Sequence, residues 1–492
     1  MKVLFVFLND RKRTLIPTNL SLLKSVVQNR GFETRVFDTS FYQEHERFTE
    51  EDKKEEAGIF KGIDYATIGV KIKKTSLVND FLQDVANWQP DLVAFSVYSA
   101  TYNLGKKLAS ALKEQNKDAL TIFGGIHVSI EPENVIREPA IDFICIGEGE
   151  EALVELCENL SKKKSVENIR NIWSKRDKGI SRNPLRPPIN MDDLPIPNWD
   201  EFKSIHYYAP YRGKFLKTAL VEFSRVCPFD CAYCGNGVLR KLYLESGIKV
   251  KPRHKSPRKF IDDLGYLKQN YGLEFVFIAD GTFLSFPTSV LEELTELYVQ
   301  EISLPFFITT TPSSINTKRA KLLKEMGCIS VNMGIECGDS DYRRDFLFRA
   351  SSDKSIIDGF RIVREAGMEA RSYNIIGLPF ETRKSIFKTI ELNRKCNPHS
   401  ASMAIFIPYQ GTHLGELSIK EGLMDNNCEI LGDGTVPNIR GFISDSELMG
   451  LFNTFSLYIK APKILFPLIR FCEKDNWLSN KLRRLFMKVI YK

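Results

Sequence analysis

The 492-residue chain reads as an α/β protein: a doubly wound, Rossmann-like unit, then a second parallel α/β unit, then a mainly helical carboxyl-terminal region. Three observations predict this. Short apolar runs of strand length recur along residues 1–410, as expected of strands buried on both faces of a parallel sheet. Segments with helix-period apolar residues separate the runs, the alternation that crossover connections require. A proline-bearing stretch interrupts the alternation and divides it in two. The boundaries that follow are 1–160 for the first unit, 161–215 for a linker, 216–410 for the second unit and 411–492 for the helical region. The length suits two or three domains and is ample to bury their cores.

In the first unit the strands fall at 3–7, 34–37, 92–97, 120–123 and 143–146, with helices such as 20–28 and 104–113 between them. Ligands of doubly wound sheets bind beyond the carboxyl ends of the strands. Those ends read Asn9-Asp10, Ser96-Val97-Tyr98-Ser99-Ala100-Thr101, Gly124-Gly125-Ile126-His127 and Gly147-Glu148-Gly149-Glu150. No Gly-x-Gly-x-x-Gly follows the first strand, which argues against an ordinary dinucleotide site. Between Tyr42 and Lys74 an insertion carries Glu50-Glu51-Asp52-Lys53-Lys54-Glu55-Glu56, the composition of a solvated helix or loop. The linker centres on Leu194-Pro195-Ile196-Pro197-Asn198-Trp199, and its prolines make it stiff.

The second unit has six strands, at 220–223, 275–279, 306–310, 329–335, 370–376 and 401–407, with helices such as 291–299 and 356–364. Directly after the first of them comes Ser224-Arg225-Val226-Cys227-Pro228-Phe229-Asp230-Cys231-Ala232-Tyr233-Cys234. Thiolates spaced Cys-x3-Cys-x2-Cys can converge on one inorganic centre, and iron–sulfur clusters are held by such groups. A four-iron cluster needs four ligands. Three leave one iron open, and an open metal position is where chemistry happens. A structural zinc site, which usually recruits a fourth Cys or His, and three unrelated buried thiols are the competing readings.

The cysteine loop, with its aromatic Tyr233, resembles that of the radical S-adenosylmethionine (radical SAM) superfamily. The resemblance implies a six-stranded partial barrel, a [4Fe-4S] cluster on Cys227, Cys231 and Cys234, and S-adenosyl-L-methionine on the open iron. It further implies that Asp280 and Gly281, ending the second strand, receive the amino group of the methionine moiety. Glu336, ending the fourth, would bond the ribose hydroxyls. Arg344 or Arg349 would pair the methionine carboxylate. Gly377, in the turn Gly377-Leu378-Pro379-Phe380-Glu381-Thr382, would lie near the adenine. An acidic acceptor suits an ammonium donor, and a buried acid without a partner would be costly.

The two glycine turns of the first unit resemble the cobalamin-binding domain found ahead of many radical SAM domains. This implies cobalamin held by Gly124, Gly125, His127, Gly147, Glu148 and Gly149, with Ser96 and Thr101 lining the pocket of its nucleotide tail. Glycine would let a bulky flat ligand approach the backbone. The first loop, Asp10-Arg11-Lys12-Arg13-Thr14-Leu15, carries no histidine, so no protein histidine is expected beneath cobalt. For His127 the competing reading is a surface turn residue. The class implied is that of cobalamin-dependent radical SAM enzymes, whose commonest activity is methyl transfer to an unactivated carbon. Oxidative cyclisation or rearrangement is the alternative within the enzymes, and a non-catalytic cobalamin-binding regulator the alternative outside them. The resemblance also implies an electron donor such as flavodoxin or ferredoxin.

Ten cysteines could suggest disulfides, but Met1-Lys2 runs straight into a strand without a secretory leader, and an exposed cluster needs a reducing interior. The expectation is a cytoplasmic protein, and no apolar run reaches the roughly 20 residues of a membrane span. From Lys460 onward nine Lys or Arg stand against two acids, Glu473 and Asp475, an excess equal to the +7 of the whole chain. The remainder is neutral, so no nucleic-acid footprint is indicated. In the last stretch Leu482, Leu485, Phe486, Val489 and Ile490 follow helix spacing between basic residues. That pattern fits either peripheral membrane contact, with a small-molecule or lipid-linked substrate, or a helix docked on the barrel.

Overall fold

The computed structural model describes residues 1–9, 14–45, 64–176, 179–425 and 443–490. The loop at Asp10–Arg13 and the charged block at 50–56 lie outside them. The first sheet contains β1 (Lys2–Phe7), β2 (Glu33–Asp38), β3 (Leu92–Ser96), β4 (Thr121–Gly124), β5 (Phe143–Cys145), β6 (Ile172–Arg176) and β7 (Gly179–Arg182), in the order β2-β1-β3-β4-β5-β6-β7. β1 to β5 run parallel, and β6 and β7 extend the edge antiparallel. The continuous apolar run of β1 is explained by burial on both faces. Val3, Phe5 and Phe7 enter one core, while Leu4 and Val6 enter another on the opposite side.

The second sheet holds β8 (Tyr208–Tyr211), β9 (Lys214–Val221), β12 (Phe275–Ile278), β13 (Phe306–Thr310), β14 (Cys328–Glu336), β15 (Glu369–Ile376) and β16 (Ser400–Ile405). A small separate ribbon pairs β10 (Ser224–Arg225) with β11 (Arg253–His254). The order β16-β15-β14-β13-β12-β9-β8 is sequential, and only β8 is antiparallel. This is the expected half-barrel, with edges at β16 and β8. The helix Asp445–Lys460 packs against β16, and the helices Phe466–Phe471 and Trp477–Ile490 pack in turn on it. Among the described residues no helix is long and apolar enough to cross a membrane.

The stretch 161–215, read from sequence as a linker, is largely built into both units. Its β6–β7 hairpin belongs to the first sheet and its β8 to the second. Between them Trp199 is buried, stacks on Tyr271 at 5.0 Å and donates its backbone N–H to that residue's hydroxyl oxygen (3.1 Å). Asn198 N–H donates to Ser25 Oγ at 2.8 Å, and Lys24 donates to the Asp200 carbonyl at 2.5 Å. The helix Thr18–Gln28 is thereby fixed to the second unit, and Thr18 Oγ1 donates to Leu220 O on β9 (2.5 Å). One apolar core runs from Val3, Phe5 and Leu20 through Trp199 to Phe223, Val276 and Ile308.

Candidate active site

The cysteine loop leaves β9 at the carboxyl end of the half-barrel. Val226 turns it with φ 68°, a left-handed conformation that a β-branched residue adopts only when its surroundings enforce it. Cys227, Cys231 and Cys234 are free and half-buried, and Cys234 caps the helix Gly235–Glu245. Burial pushes the Cys227 and Cys234 thiols above their ordinary range. Loading a metal centre there would release the thiol protons. Among the described residues no three His, Cys, Asp or Glu close on a single point, as one zinc ion requires. Cluster thiolates bind separate irons and need not do so.

Beside Cys231 stands a compact polar group. Arg349 Nη1 lies 3.4 Å from both Cys231 Sγ and the Tyr233 hydroxyl, and its Nη2 donates to Gly334 O at 2.9 Å. Glu336 joins it through Tyr233, with burial raising its carboxyl pKa against the opposing charge of Arg349. Glu336 owes its orientation to a register shift between β14 and β15 at Gly334/Glu336, where its own φ is 62°. A bulge of this kind re-aims a side chain. A Cβ at Gly334 would displace Glu336 Oε1 from this position.

On the other flank of the loop a cavity of about 500 Å³ runs from Cys227, Asp280 and Gly281 to the strand ends of the first sheet. Ser96, Gly124, Gly125, Gly147, Glu148 and Gly149 line that far wall, at the β1/β3 point where the winding of the sheet reverses. Its lining contains no histidine among the described residues. Gly125 has φ 100° and a Cβ there would overlap Val97 O. Gly147 has φ 75° and a Cβ would come 2.8 Å from the Tyr243 hydroxyl. These two glycines are therefore demanded first by protein packing, and only Gly124 and Gly149 leave ordinary space above the backbone.

Comparison with known proteins matches residues 6–157 to the B12 binding domain and residues 221–392 to the radical SAM superfamily. The chain belongs to the radical SAM enzymes that carry a B12-binding domain. Its cofactors are a [4Fe-4S] cluster, S-adenosyl-L-methionine and cobalamin. Similar curated proteins include an uncharacterized methyltransferase of Pyrococcus horikoshii, 27% identical over 417 residues, covering 84% of this chain and 88% of the relative. Another is the anaerobic magnesium-protoporphyrin IX monomethyl ester cyclase of Rubrivivax gelatinosus, 24% identical over 366 residues, covering 72% and 63%. The fold matches that of the cobalamin-dependent S-adenosylmethionine radical enzyme OxsB, with TM-score 0.68 at 14% identity, over 99% of this chain and 70% of that one.

Several expected residues of this radical SAM enzyme already have protein partners or stand outside the cavity lining. Asp280, expected to accept the methionine amino group, has its carboxylate engaged by the Phe223 and Ser224 N–H groups (2.8 and 2.9 Å) and the Ser224 hydroxyl (2.6 Å). It ties the cysteine loop to β12, and burial pushes its pKa up to about 7. Arg344 is exposed and paired with Asp341 and Asp345 on the outer side of its short helix, away from the cysteines. Arg349 alone of the two reaches them. Gly377 turns with φ 77° and donates its N–H to Glu381 (2.7 Å), but faces Leu448 of the carboxyl-terminal helix and does not line the cavity.

In the B12-binding domain Thr101 is fully buried and caps its own helix against Tyr98, outside the cavity lining. His127 is no lining residue either. Its Nδ1 lies 3.1 Å from Ser99 Oγ, its ring packs on Tyr102 at 4.3 Å, and burial lowers its pKa to about 4. Glu148 lines the wall but turns its carboxylate to Arg253 and to Ile189 N–H (3.1 Å). Sequence reasoning passed over Arg225. It binds Glu222 at 2.6 Å and reaches across to Glu150 of the glycine turn at 2.7 Å, joining the two domains two residues before Cys227. Tyr243, whose hydroxyl receives the Glu148 N–H at 3.3 Å, closes the same joint. The only signal in the sequence was a pair of opposite charges, Glu222 and Arg225, in an otherwise buried run.

Proposed function

We propose that this radical SAM enzyme transfers a methyl group to an unactivated carbon. The observation that carries the reading is the cavity joining the strand ends of the B12-binding domain to Cys227 and Gly281, since methyl transfer requires both reactive centres to address one substrate. Cys227, Cys231 and Cys234 would hold the cluster. Arg349 would take the methionine carboxylate and Glu336 the ribose. Ser96, Gly124, Gly125, Gly147, Glu148 and Gly149 would bed the cobalamin without a histidine beneath cobalt. When bound, these groups supply reductive cleavage of a sulfonium bond and a methyl carrier. The chain's part is to orient them and keep water out. A low-potential donor such as flavodoxin or ferredoxin and a cytoplasmic setting suit an oxygen-sensitive cluster. The substrate would be a small or lipid-linked molecule. The relative named a methyltransferase spans most of both chains, which supports the reading.

Oxidative cyclisation is the second reading, favoured by the relative named a cyclase. Anaerobic protein loaded with iron, sulfide and cobalamin, then given S-adenosylmethionine and reductant, separates them. Methyl transfer expects S-adenosylhomocysteine together with 5′-deoxyadenosine. Cyclisation expects 5′-deoxyadenosine without S-adenosylhomocysteine. A regulator would release neither.

A further inference from the structure

We propose that the carboxyl-terminal helices form a docking surface for an anionic lipid bilayer. The helix Trp477–Ile490 meets the protein through only part of its circumference. Ser479 and Arg483 are buried, with Arg483 donating to Cys472 O at 2.5 Å and Ser479 Oγ to Phe471 O at 3.1 Å, and Phe486 and Met487 pack on the core around Tyr458. The remaining face is exposed and carries apolar side chains with Lys481 among them. Trp477 is 73% exposed, Leu485 59% and Val489 67%, at positions that span about 120° of the helix circumference. The segment before it adds Ile464, 86% exposed, with Leu468 and Phe471 one and two turns on. Among the described residues, seven of the fifteen large exposed apolar side chains thus fall between Ile464 and Val489. Such a concentration marks an interaction surface.

Charge identifies the occupant. Arg470, Lys474, Lys481 and Arg484 are exposed among these apolar residues. Lys481 lies over the Trp477 ring at 5.0 Å and Lys474 over the Phe471 ring at 5.7 Å. Of the two acids, Glu473 is turned inward, held by Arg383 (2.6 and 2.8 Å) and by the Tyr458 hydroxyl (2.5 Å). Asp475 is the one exposed acid between 463 and 489. An apolar stripe with an interfacial tryptophan and a surround of cations is the composition that lies in the headgroup region of an anionic leaflet. The surface sits on the β16 side, where the half-barrel is open. Nothing in it depends on the chemistry of the active site.

The test is flotation of the full chain with neutral phosphatidylcholine vesicles and with vesicles containing one part in three of phosphatidylglycerol. Each cation near an anionic surface contributes roughly fivefold to partition, so recovery with anionic vesicles should exceed neutral by at least about tenfold at low salt and fall steeply toward half-molar salt. Lys481→Glu with Arg470→Glu should remove the preference for anionic lipid. Trp477→Ala with Leu485→Ala should lower recovery on the order of tenfold. All four are exposed, so cluster content should not change. Equal recovery with both vesicles, or recovery with neither, overturns the proposal. So does a full chain that is dimeric without lipid and becomes monomeric on Trp477→Ala, since the face would then belong to a second copy.

Discussion

The first sheet reverses its winding between β1 and β3, whereas the second proceeds from β9 to β16 without reversal. The consequence is visible in what each offers a ligand. At the reversal, neighbouring loops part and leave a crevice whose wall is backbone, with Gly124, Gly125, Gly147 and Gly149. Along the unreversed sheet the strands curve, and side chains from distant parts of the chain converge at their carboxyl ends, bringing Cys231, Tyr233, Glu336 and Arg349 together. A site of backbone is vulnerable to added atoms. A site of side chains is vulnerable to removed ones.

The largest effect should come from removal. Cys231→Ala is expected to abolish the broad visible absorbance of the cluster and all 5′-deoxyadenosine formation, yet leave cobalamin binding at the parent level by spectrophotometric titration. Loss of both cofactors together would mean that the two regions are not separable. Next comes the joint between them. Arg225→Met strands Glu222 and Glu150 beside each other without their cation and should cost about 3 kcal/mol in denaturant melts; an unchanged midpoint would remove Arg225 from the joint. Addition should be felt in the first region. Gly125→Ala forces a Cβ against Val97 O at φ 100° and should cost about 2 kcal/mol. Cobalamin affinity should fall with it, and cluster content should not.

Smaller still, Glu336→Gln should weaken S-adenosylmethionine binding by roughly tenfold, about 1.4 kcal/mol, with cluster content intact. Normal binding by calorimetry would refute the ribose assignment. A further effect concerns pH. Glu381 is buried behind the Gly377 turn, and burial raises its pKa from 4.5 to about 8. Because the folded state holds this proton more tightly, the stabilisation is complete below about pH 4.5 and disappears as pH rises through about 8. Glu381→Gln should therefore flatten the melting temperature across that window and leave the variant the more stable form on the alkaline side. A parallel pH profile would show that Glu381 does not titrate there.

The strands that carry the site were legible because each contains a short apolar run, largely buried in β1, β3, β12 and β14. Those that were missed lack that property. β6 reads Ile172-Trp173-Ser174-Lys175-Arg176, half polar, and β8 contains Pro210, which suits an edge strand but not a strand that must be recognised from propensity. Cys227, Cys231 and Cys234 were legible because their chemistry depends on local spacing. Arg344 and Arg349 were not distinguishable, because both follow Glu336 closely. What separates them is the turn after the helix Ser340–Asp345, where Phe348 has φ 55° and sends the chain back toward Cys231. Asp280 and His127 have side-chain partners that the sequence did not disclose, for a related reason. Ser224 satisfies the first from more than fifty residues away, and Ser99 and Tyr102 enclose the second across a helix.

The stretch around Trp199 gives the chain a property that its two-domain pattern conceals. Because Asn198 is bound to Ser25, Trp199 to Tyr271 and Thr18 to β9, the sheets share a single apolar interior. Heating should then produce one calorimetric transition, with van't Hoff and calorimetric enthalpies in agreement, instead of two separate melts. Cutting the chain between the domains would not yield two independent proteins. Each half would carry an uncovered apolar wall, and the cooperative unit is the pair.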